Sequence, residues 1–247
     1  MAPTFVLITG GNRGLGQGLV KSFLALPEHT VIAAVRDPGN TTSQALADLP
    51  KGQGSALIVV KYDAAVEQDA YDVAKELQEK HNIDHLDIVV PNAGIVEGHP
   101  LVKDVKTAGI LKHLHVNVFG VIALYQALRD LLQKSPNNPI FAPMGSTAGS
   151  CGRQPPVPNA MYGASKSMLQ WYGVRINAED EWLNTFILDP GWVQTDMGNT
   201  TAKRFGVEEA PTTVRDSVAG LFQVLTTATN EEYGGKVVLY TGEPQAY

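Results

Sequence analysis

Short, unbroken apolar runs alternate with stretches of helical period along the chain. The runs are FVLIT (5–9), VIAAV (31–35), ALIVVKYD (56–63), DIVVPNAG (87–94), PIFAPMGS (139–146), NTFILDPG (184–191) and KVVLY (236–240). Between them, Leu15, Leu19, Phe23 and Leu24 recur at helical spacing, as do Ala70, Val73, Ala74 and Leu77 within 67–81. A long helical region is predicted up to about 133, and further helices at 161–181 and 213–228. Runs that are apolar at every position, not at alternate ones, predict strands buried on both faces, as in a parallel sheet covered by helices. Strand–helix alternation with about seven strands predicts a doubly wound α/β fold, a single domain over 1–247 with helices on both faces of the sheet. Right-handed crossovers bring the carboxyl ends of the strands to one edge. Residues 195–212 are the least regular stretch and are expected to form a substrate lid, and RQPPVPNA (153–160) reads as a loop beside the site.

Composition narrows the classes. A chain of 247 residues, 44% of them hydrophobic, fits one sizeable domain with a large core. A net charge of -6 without a long basic run argues against nucleic acid and anionic membrane as partners. No stretch approaches the roughly 20 apolar residues of a membrane span. The single cysteine, Cys151, excludes an intrachain disulfide. With no basic segment in MAPTFVLITG, it points to a reducing, cytoplasmic setting. His81, His85, His99, His113 and His115 show no metal-ligand spacing, so no metal is expected.

TGGNRGLG (9–16) joins the first strand to the first helix. There Gly10, Asn12, Arg13, Gly14, Leu15 and Gly16 can form a tight turn that lets a pyrophosphate approach helix N–H groups, as in a Rossmann fold. The spacing is G-x-x-x-G-x-G, not G-x-G-x-x-G. A carboxylate ending the second strand would favour a ribose hydroxyl, whereas guanidiniums favour a 2'-phosphate. AVRDP offers Arg36 before Asp37, and Arg13 lies in the turn, so NADP(H) is favoured, with Asp37 as a partial offset. Asp63, ending the third strand, is placed to accept from the adenine amino group. Asn92, Ala93 and Gly94 supply small residues where the backbone passes the cofactor.

MYGASK (161–166) sets Tyr162 and Lys166 four apart, on one helix face. Bringing a phenol from about 10 to about 7 takes about 4 kcal/mol of differential stabilisation. An ammonium and an oxidised nicotinamide ring in a low-dielectric cleft can supply it. Lys166 is also expected to hold the nicotinamide ribose. Ser146 follows the fifth strand and can orient a substrate carbonyl, with Thr147 as the competing hydroxyl. Asn117 lies inside a helix, where asparagine is a poor former, and can hold a water linking Lys166 to solvent. Trp192, Met197 and Phe205 are candidate pocket walls. Trp171, Tyr172 and Phe119 read as core or interface, and Cys151 as a bystander.

TGGNRGLG, PNAG, Asn117 in HVNV, Ser146, YGASK and DPGWVQT together resemble the short-chain dehydrogenase/reductase family, in order, over about residues 4–241. The resemblance implies Tyr162 as acid/base, Lys166 as its tuner, Ser146 as the carbonyl-orienting group and Asn117 as relay. It also implies that Pro190, Gly191, Val193 and Thr195 cradle the nicotinamide, alongside Tyr162 and Lys166. Within the family the layout is similar to fungal norsolorinic acid ketoreductases and related carbonyl reductases. That implies an aromatic or polyketide-type ketone as small-molecule substrate and delivery of the 4-pro-S hydride. Two departures stand out: Pro91 replaces the usual asparagine, and the Ser146–Tyr162 interval is long. Family members pair through helices here at about 101–133 and 161–181. The apolar stripe of 121–132 suits such an interface or the sheet equally, which leaves homodimer and homotetramer open. The rival readings are a nucleotide sensor without turnover and an NAD-dependent alcohol dehydrogenase of the same fold.

Overall fold

A computed structural model describes residues 3–247. Its elements follow in the order β1 (Thr4–Thr9), α1 (Gly14–Leu24), β2 (His29–Val35), α2 (Thr41–Gln44), β3 (Ala56–Lys61), α3 (Glu67–His81), β4 (Ile88–Val90), α4 (Thr107–Leu114) and α5 (Gly120–Gln133). The second half adds β5 (Ile140–Phe141), α6 (Tyr162–Glu179), β6 (Asn184–Thr185), β7 (Ile187–Asp189), α7 (Asp196–Arg204), α8 (Val214–Thr227), α9 (Asn230–Tyr233), β8 (Val237–Leu239) and β9 (Pro244–Gln245). Six strands pair in the order β3-β2-β1-β4-β5-β6, each pair parallel. The order reverses between β1 and β4, which opens a crevice at their carboxyl ends.

The unbroken apolar runs have the expected cause. Leu7 of β1 faces a core shared with Leu77 of α3 and Leu124 of α5. Its neighbours Val6 and Ile8 face the opposite core, with Leu19 and Phe23 of α1 and Leu221 of α8. Helix α3 spans the expected 67–81. Glu67 and Asp69 open it, Lys80 and His81 close it, and Asn82 ends it in the left-handed conformation at φ 53°. Acids at the start and bases at the end oppose the helix dipole favourably.

Three expectations need correction. The run at 184–191 is not one strand: β6 pairs with β5, while β7 pairs with β8, which pairs with the antiparallel β9. Proline accounts for the break. Ala142 and Met144 donate to Val89 and Pro91 on the β4 side. The donor between them, facing Phe186, is the one that Pro143 lacks, and pairing resumes where Gly145 donates to the Leu188 carbonyl at 2.6 Å. The expected lid is more regular than its sequence suggests, because it contains α7, capped by the Thr195 hydroxyl. Finally, Thr107–Gln133 runs as a 27-residue helical rod, long and apolar enough by composition to cross a membrane, contrary to expectation. Much of that apolarity faces the fold: Val121, Leu124, Leu128, Leu131 and Leu132 are core residues beneath α3.

Candidate active site

The glycine turn lies at the crevice, where β1 meets β4. Gly10 has φ +64°, and a Cβ on Gly16 would stand 2.3 Å from the Gly10 carbonyl oxygen. The turn therefore closes on itself more tightly than any side chain allows. Helix α1 then starts from Arg13 with no side-chain cap and no acidic residue in its first turn. Its first N–H groups are thus left for an outside acceptor. The dinucleotide implied by the fold fits this observation, since a pyrophosphate is an acceptor of that kind. Asn92 donates to the Thr9 carbonyl, and the Thr9 hydroxyl accepts from Asn92 and Ala93 N–H. The ends of β1 and β4 are thereby locked together. Gly16→Ala is expected to destabilise the fold by about 2 kcal/mol, as overpacking typically does, and to weaken dinucleotide binding. Thermal melting and fluorescence titration measure the two effects.

At the adenosine end, Arg13, Arg36 and Asp37 are exposed. The Asp37 carboxylate accepts from Gly39 N–H at 2.9 Å, within its own turn. Asn12 donates to Thr42 at 2.7 Å, which ties the glycine turn to α2. Asp63 accepts from Ala65 N–H at 2.9 Å, so one of its oxygens is already engaged.

At the other end, Ser146, Tyr162 and Lys166 converge. Ser146 ends the β5 strand region in extended backbone and its hydroxyl accepts from Ala148 N–H at 3.1 Å. The Thr147 hydroxyl turns away and donates to Asp189. This decides the competition between the two hydroxyls for the position facing Tyr162. Lys166 is only 4% exposed. Its Nζ donates to the Met144 carbonyl at 2.6 Å and lies 5.7 Å from the Tyr162 ring centroid.

The electrostatics depart from expectation. Burial pushes the Tyr162 phenol up to about 12, the Asp189 charge pushes the same way, and a hydrogen bond from Ser146 opposes them. Burial pulls the Lys166 amine down to about 8, against the pull of Asp189. The expected lowering of the phenol is therefore absent in the protein alone. Lys166 is directed at a backbone carbonyl, and a bound positive charge beside the phenol would favour its ionised form further.

Asn117 sits in a π-helical turn, His115–Phe119, between α4 and α5. Its side chain makes three hydrogen bonds: Nδ2 donates to the Ile95 carbonyl and to Ser165, and Oδ1 accepts from Ile95 N–H. Both amide hydrogens are committed, so a relay water there would meet an acceptor of Asn117 and not a donor.

The stretch 190–195 folds over the crevice. Gly191 has φ +76°, Pro190 accepts from Ser217, and Val193 is buried. Thr195 lies against the glycine turn, where a Cβ on Gly14 would sit 3.4 Å from its methyl carbon. Trp192 donates to the Gly198 carbonyl at 3.1 Å, and Phe205 meets His99 edge-on at 5.2 Å between centroids. Met197 is 40% exposed. Trp171 and Phe119 are also exposed, which removes the core reading for both. Cys151 is exposed with Ser167 beside it. Sequence reading quoted Thr9 and Asp189 within motifs without giving either a role, read His99 only as no metal ligand, and passed over Gln170, which donates to the Ser146 carbonyl at 3.2 Å. Only Asp189 carried a signal, as an acid at the end of an otherwise apolar strand.

A nicotinamide-dependent oxidoreductase is the class that this fold and crevice define. The short chain dehydrogenase family model matches residues 4–205, and the chain belongs to that family. It is 41% identical over 244 residues to norsolorinic acid ketoreductase nor1 of Dothistroma septosporum, covering 96% of this chain and 90% of the relative. It is 36% identical to the norsolorinic acid ketoreductase of Aspergillus parasiticus, covering 98% and 90%. Its fold matches the crystal structure of an NADPH-bound carbonyl reductase from chicken fatty liver with a TM-score of 0.87, at 25% identity and full coverage of both chains.

Proposed function

We propose that this protein is an NADPH-dependent ketoreductase acting on an aromatic, polyketide-type ketone, with one domain spanning the chain. The observation that carries the reading is the convergence of Ser146, Tyr162 and Lys166 in the crevice that begins at the glycine turn. Bound NADPH supplies the hydride for the carbonyl carbon. Ser146 donates a hydrogen bond to the carbonyl oxygen and fixes it beside the phenol. Tyr162 gives its proton to that oxygen as charge develops there. The Lys166 ammonium stabilises the phenolate left behind and holds the nicotinamide ribose. A water held at Asn117 returns a proton from solvent. The 190–195 stretch, with Thr195 at the carboxamide, orients the ring face. The names of the two fungal relatives support the substrate class.

Preference for NADPH rests on Arg13 and Arg36, with Asp37 drawn into its own turn. Arg36→Ala is expected to raise KM for NADPH about tenfold while leaving KM for NADH within about twofold, because one charge-assisted contact contributes roughly 1.5 kcal/mol. Initial rates with each cofactor at one ketone concentration test this. Equal effects on both cofactors would remove Arg36 from phosphate recognition.

A further inference from the structure

We propose that Asp189 is a positioning residue: its buried carboxylate straps the Ser146 loop to the Gly191 turn. Asp189 is 1% exposed. Its two oxygens bind in different directions: one accepts from Gly191 N–H at 3.0 Å, the other from the Thr147 hydroxyl. Thr147 is the residue after Ser146, and Gly191 opens the stretch that covers the crevice. One side chain therefore sets the distance between the carbonyl-orienting hydroxyl and the wall opposite it. Backbone bonds reinforce the same seam, from Gly145 N–H to the Leu188 carbonyl at 2.6 Å and from Tyr240 N–H to the Asp189 carbonyl at 2.8 Å.

The charge has a second effect. A carboxylate this buried is costly unless compensated. Two donors compensate it, and its charge acts as a counter-charge that partly opposes the lowering of Lys166 by burial. The titratable groups around the amine are Tyr162, one turn back on α6, and Asp189, from the end of β7. The Met144 carbonyl accepts from the amine, and Gly94 and the Asn117 side-chain oxygen lie nearby. Tyr162 in turn faces Ser146, Lys166 and Asp189. Without the negative charge, both the ammonium and the phenol lose their protons at lower pH. Asp189 thus keeps the site in its proton-donating form toward higher pH, as reduction requires.

The inference rests on the reductase reading for its effect on rate, but not for its effect on Lys166. The test uses full-length protein labelled with 13C-lysine, the Lys166 signal being assigned by its loss in Lys166→Met. Asp189→Asn keeps an acceptor for Gly191 and a partner for Thr147 while removing the charge. In this variant the Lys166 midpoint is expected to fall by about one pH unit, and the alkaline limb of ketone reduction to fall with it. An unmoved midpoint overturns the counter-charge. A shifted midpoint in a protein that reduces no ketone supports the counter-charge and overturns the reductase reading instead. Thr147→Val keeps the charge and cuts the strap. It is expected to leave the midpoint in place and lower kcat about tenfold, since small misplacements of reacting groups are costly. An undiminished kcat in Thr147→Val overturns the strap, whether or not Asp189→Asn folds.

Discussion

Tyr162→Phe is expected to cut ketone reduction by about 10³-fold while leaving NADPH bound. General acid catalysis by a positioned side chain contributes about 10²–10⁴-fold, and a factor of 10³ corresponds to about 4 kcal/mol of barrier. The substitution removes one oxygen from a helix that is otherwise held independently. Ser165 and Gly163 on either side of the next turn stay buried, and Lys166 keeps its bond to Met144. Thermal melting should therefore move little, and NADPH titration should give nearly the wild-type affinity. The loss should appear in kcat. Such a pattern marks an interaction made in the transition state and not in the ground state. A variant that retained turnover would show that the proton comes from elsewhere.

Lys166→Met should lower kcat about 10²-fold, weaken NADPH binding and remove a pH dependence. Burial sets the amine at about 8, so it is an ammonium at neutral pH and loses its charge as pH rises through that value. Only the charged form stabilises the phenolate left after proton donation. Reduction by the wild-type protein should thus decline between about pH 7 and 9, the limb following the depressed lysine and not an ordinary amine near 10.4. In Lys166→Met the residual rate should be flat over that range. A limb that persists unchanged in the variant would assign the titration to another group.

The doubly wound architecture could be read from the chain because parallel strands buried on both faces leave a plain trace: VIAAV (31–35) and IVV (88–90) are apolar at every position. The boundaries of α3 were equally plain, since its charges and its buried Ala70, Val73, Ala74 and Leu77 agree. The break at Phe186 was not, because its cause lies on the neighbouring strand, in the missing donor of Pro143. The Tyr162–Lys166 pair followed from a spacing of four on a helix. The direction of the Tyr162 shift did not follow from it. That direction depends on burial and on Asp189, which is 27 residues away in sequence (189 against 162) and becomes a neighbour only when β7 docks beside the Ser146 loop. The engagement of Asn117 with Ile95 and Ser165 is hidden for the same reason: sequence shows an asparagine in a helix, and only the π turn shows where its amide points.

The reaction proposed for this crevice is reduction of a ketone by NADPH. Its most direct measurement is a single turnover: protein loaded with NADPH is mixed with an activated aryl ketone, absorbance at 340 nm is followed, and the product is identified by mass spectrometry. One equivalent of bound NADPH should be consumed for each equivalent of secondary alcohol formed, and Tyr162→Phe should hold its NADPH unoxidised on the same time scale. Tight NADPH binding with no loss of absorbance across a broad panel of ketones would contradict the account and favour a protein that senses the nucleotide without using it.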